Sequence, residues 1–237
     1  MATFVSASEG SSRYRTERTE VDPQGSLADV RLFGVLSVDE LEELLAASTS
    51  RHVARQQVVY CEGETLTHLY LTQTGSIKLV RHSEEGKELI VALARPGECF
   101  GALAEPLESR ALAQALEDSI ILVVPLAAVR HALAHNPRFA TGLLVQALKR
   151  HQDAETAATR LAFETVPQRL AHLLLEVSDP QSGQLAPPLN QTEIANLIGS
   201  SRETVCSILN QFRRQGLLDI DRGRLRIVDR ALLTGAK

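Results

Sequence analysis

Arg202 and Glu203 are the side chains whose types and spacing point most directly to chemistry. A guanidinium carries forked donors that match guanine O6 and N7, and a carboxylate accepts from cytosine N4. A carboxylate facing a polyanion is repelled unless it accepts a specific hydrogen bond, so Glu203 beside Arg202 implies selection for reading a base edge. The simpler alternative is a charged, solvated face of a helical hairpin.

The elements that must position this pair lie between Leu189 and Gly216. Asn190 fits an N-cap, its side-chain oxygen accepting a free amide of the first turn. Ile194, Ala195, Leu197 and Ile198 give a short apolar face. Gly199 ends that helix, because glycine enters the left-handed region without steric cost. Ser200 or Ser201 caps a second helix, in which Val205, Ile208, Leu209 and Phe212 recur at helical spacing. That stripe leaves Arg202, Glu203, Cys206, Ser207 and Gln211 outside. A short helix, a glycine turn and a longer helix with a polar start make a helix-turn-helix, whose second helix enters the major groove. Residues 216–228 then alternate apolar and polar around Asp221-Arg222-Gly223, a β-hairpin signal. Arg222, Arg224 and Arg226 fall at its tip and along one strand face, where a wing meets phosphates.

Ile-Gly-Ser-Ser-Arg-Glu-Thr-Val, residues 198–205, resembles the recognition helix of the Crp/Fnr family of bacterial regulators. The resemblance extends, more weakly, from about Val30 to the C-terminus. It implies base contacts from Arg202 and Glu203. Ser207 stands where the family's cyclic-AMP receptors carry a second base-reading arginine, so the half-site is expected to share part of TGTGA and to differ at one position. Gln191, Thr192, Ser201, Thr204, Arg222 and Arg224 are the expected contacts to the DNA backbone.

The composition is consistent with that. Net charge is −4, but residues 190–237 carry 8 basic and 5 acidic residues, a net of +3, which leaves 17 basic against 24 acidic elsewhere, a net of −7. A basic end on an acidic body favours end-on contact with nucleic acid. No apolar run approaches a membrane span, and the start of the chain lacks a signal-peptide pattern. Cys61, Cys99 and Cys206 are far apart, with neither a metal-ligand spacing nor a disulfide framework. The expected compartment is the cytoplasm.

Along the chain, residues 1–27 are rich in Ser, Thr, Arg and Glu and read as a mobile tail. Residues 30–47 read as a helix or helical pair, with Ser37 as a cap. Between Val53 and Val124, short apolar runs at 56–60, 68–72, 76–81, 88–93 and 119–124 alternate with turn signals such as Glu62-Gly63, Thr74-Gly75 and Pro96-Gly97. Many short strands at close spacing indicate a β-barrel or roll, and their order resembles the cyclic-nucleotide-binding roll of the same family. Asn136-Pro137 opens a long helix. Its positions 140, 144, 147, 151, 154, 158 and 161 form a near-heptad seam of Ala, Leu and one His, with Phe139, Leu143 and Val145 widening the apolar surface. One stripe packed on the roll, a family-type homodimer seam, or both, would account for it. Thr165 and Gln168 have capping-box spacing, and Pro167 disfavours helical geometry at Val166. A break there would make a hinge, followed by a helix over 169–177 and a proline-rich loop over 178–188.

A cyclic nucleotide needs amides for its phosphate, an arginine for its charge and an acceptor for its ribose hydroxyl. In the family these come from a Phe-Gly-Glu motif and an Arg-Ser-Ala motif. Here the first reads Phe100-Gly101-Ala102, and the second Glu108-Ser109-Arg110-Ala111. On the long helix, Ala154-Glu155 stands where the receptors have a Thr-Ser pair for adenine. Gly101, Ala102, Ser109 and Arg110 are therefore the candidate effector pocket, with the identities expected for cyclic AMP missing. Iron–sulfur sensors of the family use an N-terminal cysteine cluster, absent here. Haem would need axial ligands, for which Cys61 and His82 are scattered candidates, and 2-oxoglutarate remains open. No certain cofactor is implied, and action without an effector is the leading expectation.

The fold class expected is α+β: tail 1–27, β-roll sensor 28–135, dimerisation helix 136–164, and winged helix-turn-helix 165–237. The resemblance implies a homodimeric transcription regulator, more often an activator, with double-stranded DNA and RNA polymerase as partners and no membrane association. The alternative is an effector-dependent sensor (cyclic nucleotide, 2-oxoglutarate, haem or redox) whose main output is contact with another protein. No nucleophile–base pair, phosphate loop or metal-ligand spacing suggests an enzyme.

Overall fold

The computed structural model describes residues 32–221 and 224–235. The expected tail over 1–27 and the wing tip at Arg222 and Gly223 lie outside these residues. After a turn at 32–36, helix α1 (Val38–Ala47) starts at Ser37, whose hydroxyl accepts the Glu40 amide while the Glu40 carboxylate accepts the Ser37 amide. The roll follows as ten strands: β1 (Thr49–Val53), β2 (Val58–Tyr60), β3 (Thr65–Leu66), β4 (His68–Thr74), β5 (Ile77–His82), β6 (Glu88–Ala94), β7 (Cys99–Gly101), β8 (Leu107–Glu108), β9 (Leu112–Ala115) and β10 (Ser119–Pro125). One four-stranded sheet has the order β1-β10-β4-β7 and the other β2-β9-β5-β6, with β3-β8 as a short ribbon. All their pairings are antiparallel. A barrel-like roll of short strands was the expectation. Five of these strands, β1, β3, β7, β8 and β9, lie outside the expected runs, and all of them but β1 last four residues or fewer.

Two cores fill this half. Tyr60, Leu66, Tyr70, Ile77, Phe100 and Ile121 belong to the cluster inside the roll. Leu32, Phe33, Leu69, Leu122, Phe139 and Leu143 belong to the cluster beneath the helices. Helix α2 (Leu126–His135) follows β10 directly, in a stretch the sequence left without a helix. Helix α3 (Pro137–Phe163) is capped by Asn136, which accepts the Phe139 amide, and has proline at its first position. Only Phe139 and Leu143 of its 27 residues are buried.

The C-terminal half forms its own core of Leu170, Leu174, Ile194, Val205, Leu209, Phe212 and neighbours. Helix α4 spans Val166–Val177. It starts three residues before the expected point, because Pro167 sits in the first turn, where no intrahelical hydrogen bond is lost. The break is therefore confined to Glu164 and Thr165, with the Thr165 amide donating to Gln168 Oε1 at 2.9 Å. Helices α5 (Gln191–Ile198) and α6 (Arg202–Arg214) are joined through Gly199, at φ 61°. Strands β11 (Leu218–Asp221) and β12 (Arg224–Ile227) pair as the hairpin, and α7 (Arg230–Thr234) closes the described chain.

The two halves touch. Helix α5 rests on β6, the outer strand of its sheet: Asn196 Nδ2 donates to Glu88 Oε2 at 2.9 Å, and Arg55 lies 3.9 Å from Glu193.

Gly101 is a position the roll cannot change freely. Its φ is +87°, and a Cβ there would meet Tyr70 Cδ2 at 2.6 Å and the His68 carbonyl at 2.9 Å. Gly101→Ala is expected to destabilise the protein by roughly 2–4 kcal/mol, from backbone strain plus overpacking. Urea unfolding checks this, and an unchanged midpoint would contradict the tight approach of Tyr70.

Candidate nucleic-acid interface and effector pocket

The helix-turn-helix is built from local rules. Asn190 accepts the Thr192 and Glu193 amides, each at 2.9 Å, and Glu193 Oε2 accepts the Asn190 amide at 2.8 Å. This reciprocal box satisfies donors that a helix start would otherwise leave free. Glu193 is only 6% exposed. Buried carboxylates need partners, and this one has the Asn190 amide and the nearby Arg55 of the roll. Ser201 caps α6, its hydroxyl accepting the Thr204 amide at 3.2 Å.

Val205, Ile208, Leu209 and Phe212 are buried, and Arg202, Glu203, Thr204, Ser207 and Asn210 are exposed. Arg202, Glu203, Ser207 and Gln191 line one open groove of about 440 Å³, together with Cys206 and Asn210. The two last residues had no site role in the sequence reading. Their signal was spacing alone, since Asn210 follows Cys206 by one helical turn and its amide donates to the sulfur at 3.7 Å. The Glu203 carboxyl is held below its usual range, first by its own backbone amide and next by the Ser201 hydroxyl. It is thus ionised at neutral pH and acts as an acceptor only.

Thr192 is exposed and Gln191 half-buried at the start of α5. Arg224 and Arg226 are exposed on β12, opposite the inward Leu225 and Ile227, and Arg226 lies 4.0 Å from Asp219. Arg222 is outside the described residues. Arg169 joins the break to the turn: its guanidinium donates to the carbonyls of Leu161 at 3.4 Å, Glu164 at 3.3 Å and Gly199 at 3.5 Å. Sequence reading gave it no role, because backbone carbonyls leave no trace in residue types.

The four candidate pocket residues differ in exposure. Gly101 ends β7, Ala102 is fully buried and Ser109 is 5% exposed, while Arg110 is exposed to solvent. The Ser109 hydroxyl donates to the Ala111 carbonyl at 2.6 Å. The Ala102 amide donates to the His68 carbonyl at 3.1 Å, and the Ser109 amide to the Glu64 carbonyl at 2.9 Å. Among the described residues no group of three or more His, Cys, Asp or Glu could hold a metal, and no helix is long and apolar enough to cross a membrane.

A β-roll followed by a long helix and a winged helix-turn-helix defines a two-domain regulator. Residues 168–235 match the family model of the Crp-like helix-turn-helix domain, and residues 50–136 that of the cyclic nucleotide-binding domain. The cyclic AMP receptor protein of Thermus thermophilus is 29% identical over 204 residues, covering 85% of this chain and 94% of its own. A CRP-like cAMP-activated global transcriptional regulator of Mycobacterium tuberculosis is 29% identical over 175 residues, 70% of this chain and 78% of its own. The fold matches the structure of FixK2 from Bradyrhizobium japonicum with a TM-score of 0.73, at 24% identity over 79% of this chain and 96% of that one. The chain thus combines a Crp-like helix-turn-helix with a cyclic nucleotide-binding-type domain, the make-up of a Crp/Fnr-type DNA-binding transcription regulator.

The three cysteines give a check on this geometry. Cys61 is exposed, Cys206 half-buried and Cys99 buried, with burial pushing the Cys99 thiol up to about 12. The thiolate is the reactive form, so Cys99 should stay silent toward a disulfide reagent at neutral pH until denaturant is added, while Cys61 reacts first. Equal rates at all three sites would contradict the packing of β7 under α3.

Proposed function

We propose that this regulator binds a partly palindromic DNA site as a homodimer and reads it with α6. The observation that carries this is the division of α6 into a buried apolar stripe and an open polar start, with Arg202, Glu203 and Ser207 facing the same groove. Arg202 would take guanine through paired donors, and Glu203, ionised, would accept from cytosine N4. Ser207 offers a single hydroxyl, so its base step should be read more weakly. Gln191, Thr192, Ser201, Thr204, Arg222 and Arg224 would hold the phosphates.

The homodimer reading is supported by the bare face of α3. Leu144 and Leu148, one helical turn apart, are 58% and 52% exposed, and a second α3 packed along them would cover that apolar surface. A two-fold dimer would present two recognition helices to successive major grooves, roughly 34 Å apart. Contact with RNA polymerase, activation rather than repression, and a cytoplasmic setting are family-level expectations that belong to this reading.

Selection of bound sequences from random duplex DNA tests the whole reading, with a palindrome as the expected product. Failure to select any sequence would favour a sensor whose output is protein contact. Arg202→Ala is expected to weaken specific binding by roughly 1–3 kcal/mol and relax one base preference; equal losses on specific and random DNA would contradict its role. Arg224→Ala should weaken both and lower the slope of affinity against salt by about one. An unchanged slope would remove the wing contact.

A further inference from the structure

The interior of the roll is occupied by the chain itself. Tyr60, Tyr70 and Phe100 form a cluster with ring centroids 5.2–6.1 Å apart, and they are 4%, 9% and 0% exposed. Tyr70 lies directly over Gly101, where even a methyl group would collide with its ring. The polar groups nearby are also satisfied internally: the Ala102 and Ser109 amides and the Ser109 hydroxyl all bond to the chain's own carbonyls. Arg110, the cation nearest in sequence, is exposed.

The long helix is clamped by its own side chains to the start of β7 and the turn before it. Gln146 accepts the Cys99 amide and donates to the Gly97 carbonyl, each at 3.0 Å. Arg150 donates to the Cys99 carbonyl at 2.9 Å, and Lys149 reaches Glu98 at 3.3 Å. Three helix side chains thus grip three successive residues, 97–99. A ligand shifts an equilibrium only if it binds one arrangement better than another. Here Gln146, Lys149 and Arg150 join helix to roll directly.

We propose that this roll is closed to cyclic nucleotides by its own aromatic side chains, and that the Gln146–Lys149–Arg150 clamp holds the DNA-binding arrangement without one. The proposal rests on the DNA-binding reading above. Tyr60, Tyr70 and Phe100 replace a ligand's bulk, and Gln146 and Arg150 act as positioning residues for the recognition helices.

The test uses the purified full chain and the palindrome it selects. DNA affinity is measured by fluorescence anisotropy, alone and with millimolar cyclic AMP or cyclic GMP, beside calorimetric titration of each nucleotide. Expected are no binding heat and a change in DNA affinity of less than about twofold. Sequence-specific binding that requires a nucleotide, or saturable heat from either one, would overturn the proposal while leaving the DNA reading intact. Absence of any selected sequence would instead sink the DNA reading and the proposal with it. The double variant Gln146→Ala/Arg150→Ala should lose specific affinity by about tenfold or more and accept a wider range of half-site spacings. A clamp that only stabilised the fold would lower the melting temperature and leave the preferred spacing unchanged, and that result would overturn its positioning role. If the double variant does not fold, the nucleotide titrations of the unaltered chain still decide the proposal.

Discussion

One constraint governs the functional end of this molecule: a helix can bury only one stripe. In α6 that stripe is Val205, Ile208, Leu209 and Phe212, sunk into a core shared with α4, α5 and the hairpin. Burying four large side chains from one 13-residue helix fixes its rotation about its own axis. Burial of a Val, Leu, Ile or Phe side chain contributes about 1.5–3 kcal/mol. Any rotation that turned Arg202 or Glu203 inward would expose that surface and bury a charge. The chemistry of the reading face is therefore set by apolar residues that never touch it.

The same economy of position recurs between the halves. The cap that starts α5 uses Glu193, and Glu193 also faces Arg55 of the roll. Arg169 touches the last carbonyls of α3 and the turn before α6. Asn196 of α5 meets Glu88 of the roll. Each of these residues serves a local element and a distant one together. The tilt of the recognition helix is consequently tied to the roll by polar contacts at its entry and by the long helix at its break. Polar contacts of this kind are individually modest, which suits a joint between two bodies better than a fused core would.

The helix-turn-helix was legible in the sequence because everything that defines it is local. Asn190, Gly199, Ser201 and the apolar spacing of α6 all act within a few residues, and the structure has them where the pattern put them. The strands of the roll were legible where they run six or seven residues, as in β4, β5, β6 and β10, and not where they last only two, as in β3 and β8. Helix α2 escaped notice because its alanines give a weak amphipathic stripe. Helix α4 includes Val166, where Pro167 disfavours helical geometry, because in a first turn the proline is tolerated. The burial of Glu193 and the meeting of Asn196 with Glu88 were beyond reach, since the latter partners are 108 residues apart. The candidate pocket residues depart from the family motifs in residue type alone. That the rings of Tyr60, Tyr70 and Phe100 pack on one another is a property of the fold, and it shows only once β2, β4 and β7 are brought together.

The resting place of α5 has a consequence for the lifetime of the protein. Strand β6, Glu-Leu-Ile-Val-Ala-Leu-Ala, is the outer strand of its sheet. An apolar outer strand with unpaired backbone groups is a template for joining other chains. The DNA-binding half lies against it, with Leu89 beside Gly199 and Asn196 on Glu88. It thus serves as a shield as well as a reader. A cut at Glu164 or Thr165, between the two halves, would release a roll with an adhesive rim, so the separated sensor half should self-associate where the whole chain stays dispersed.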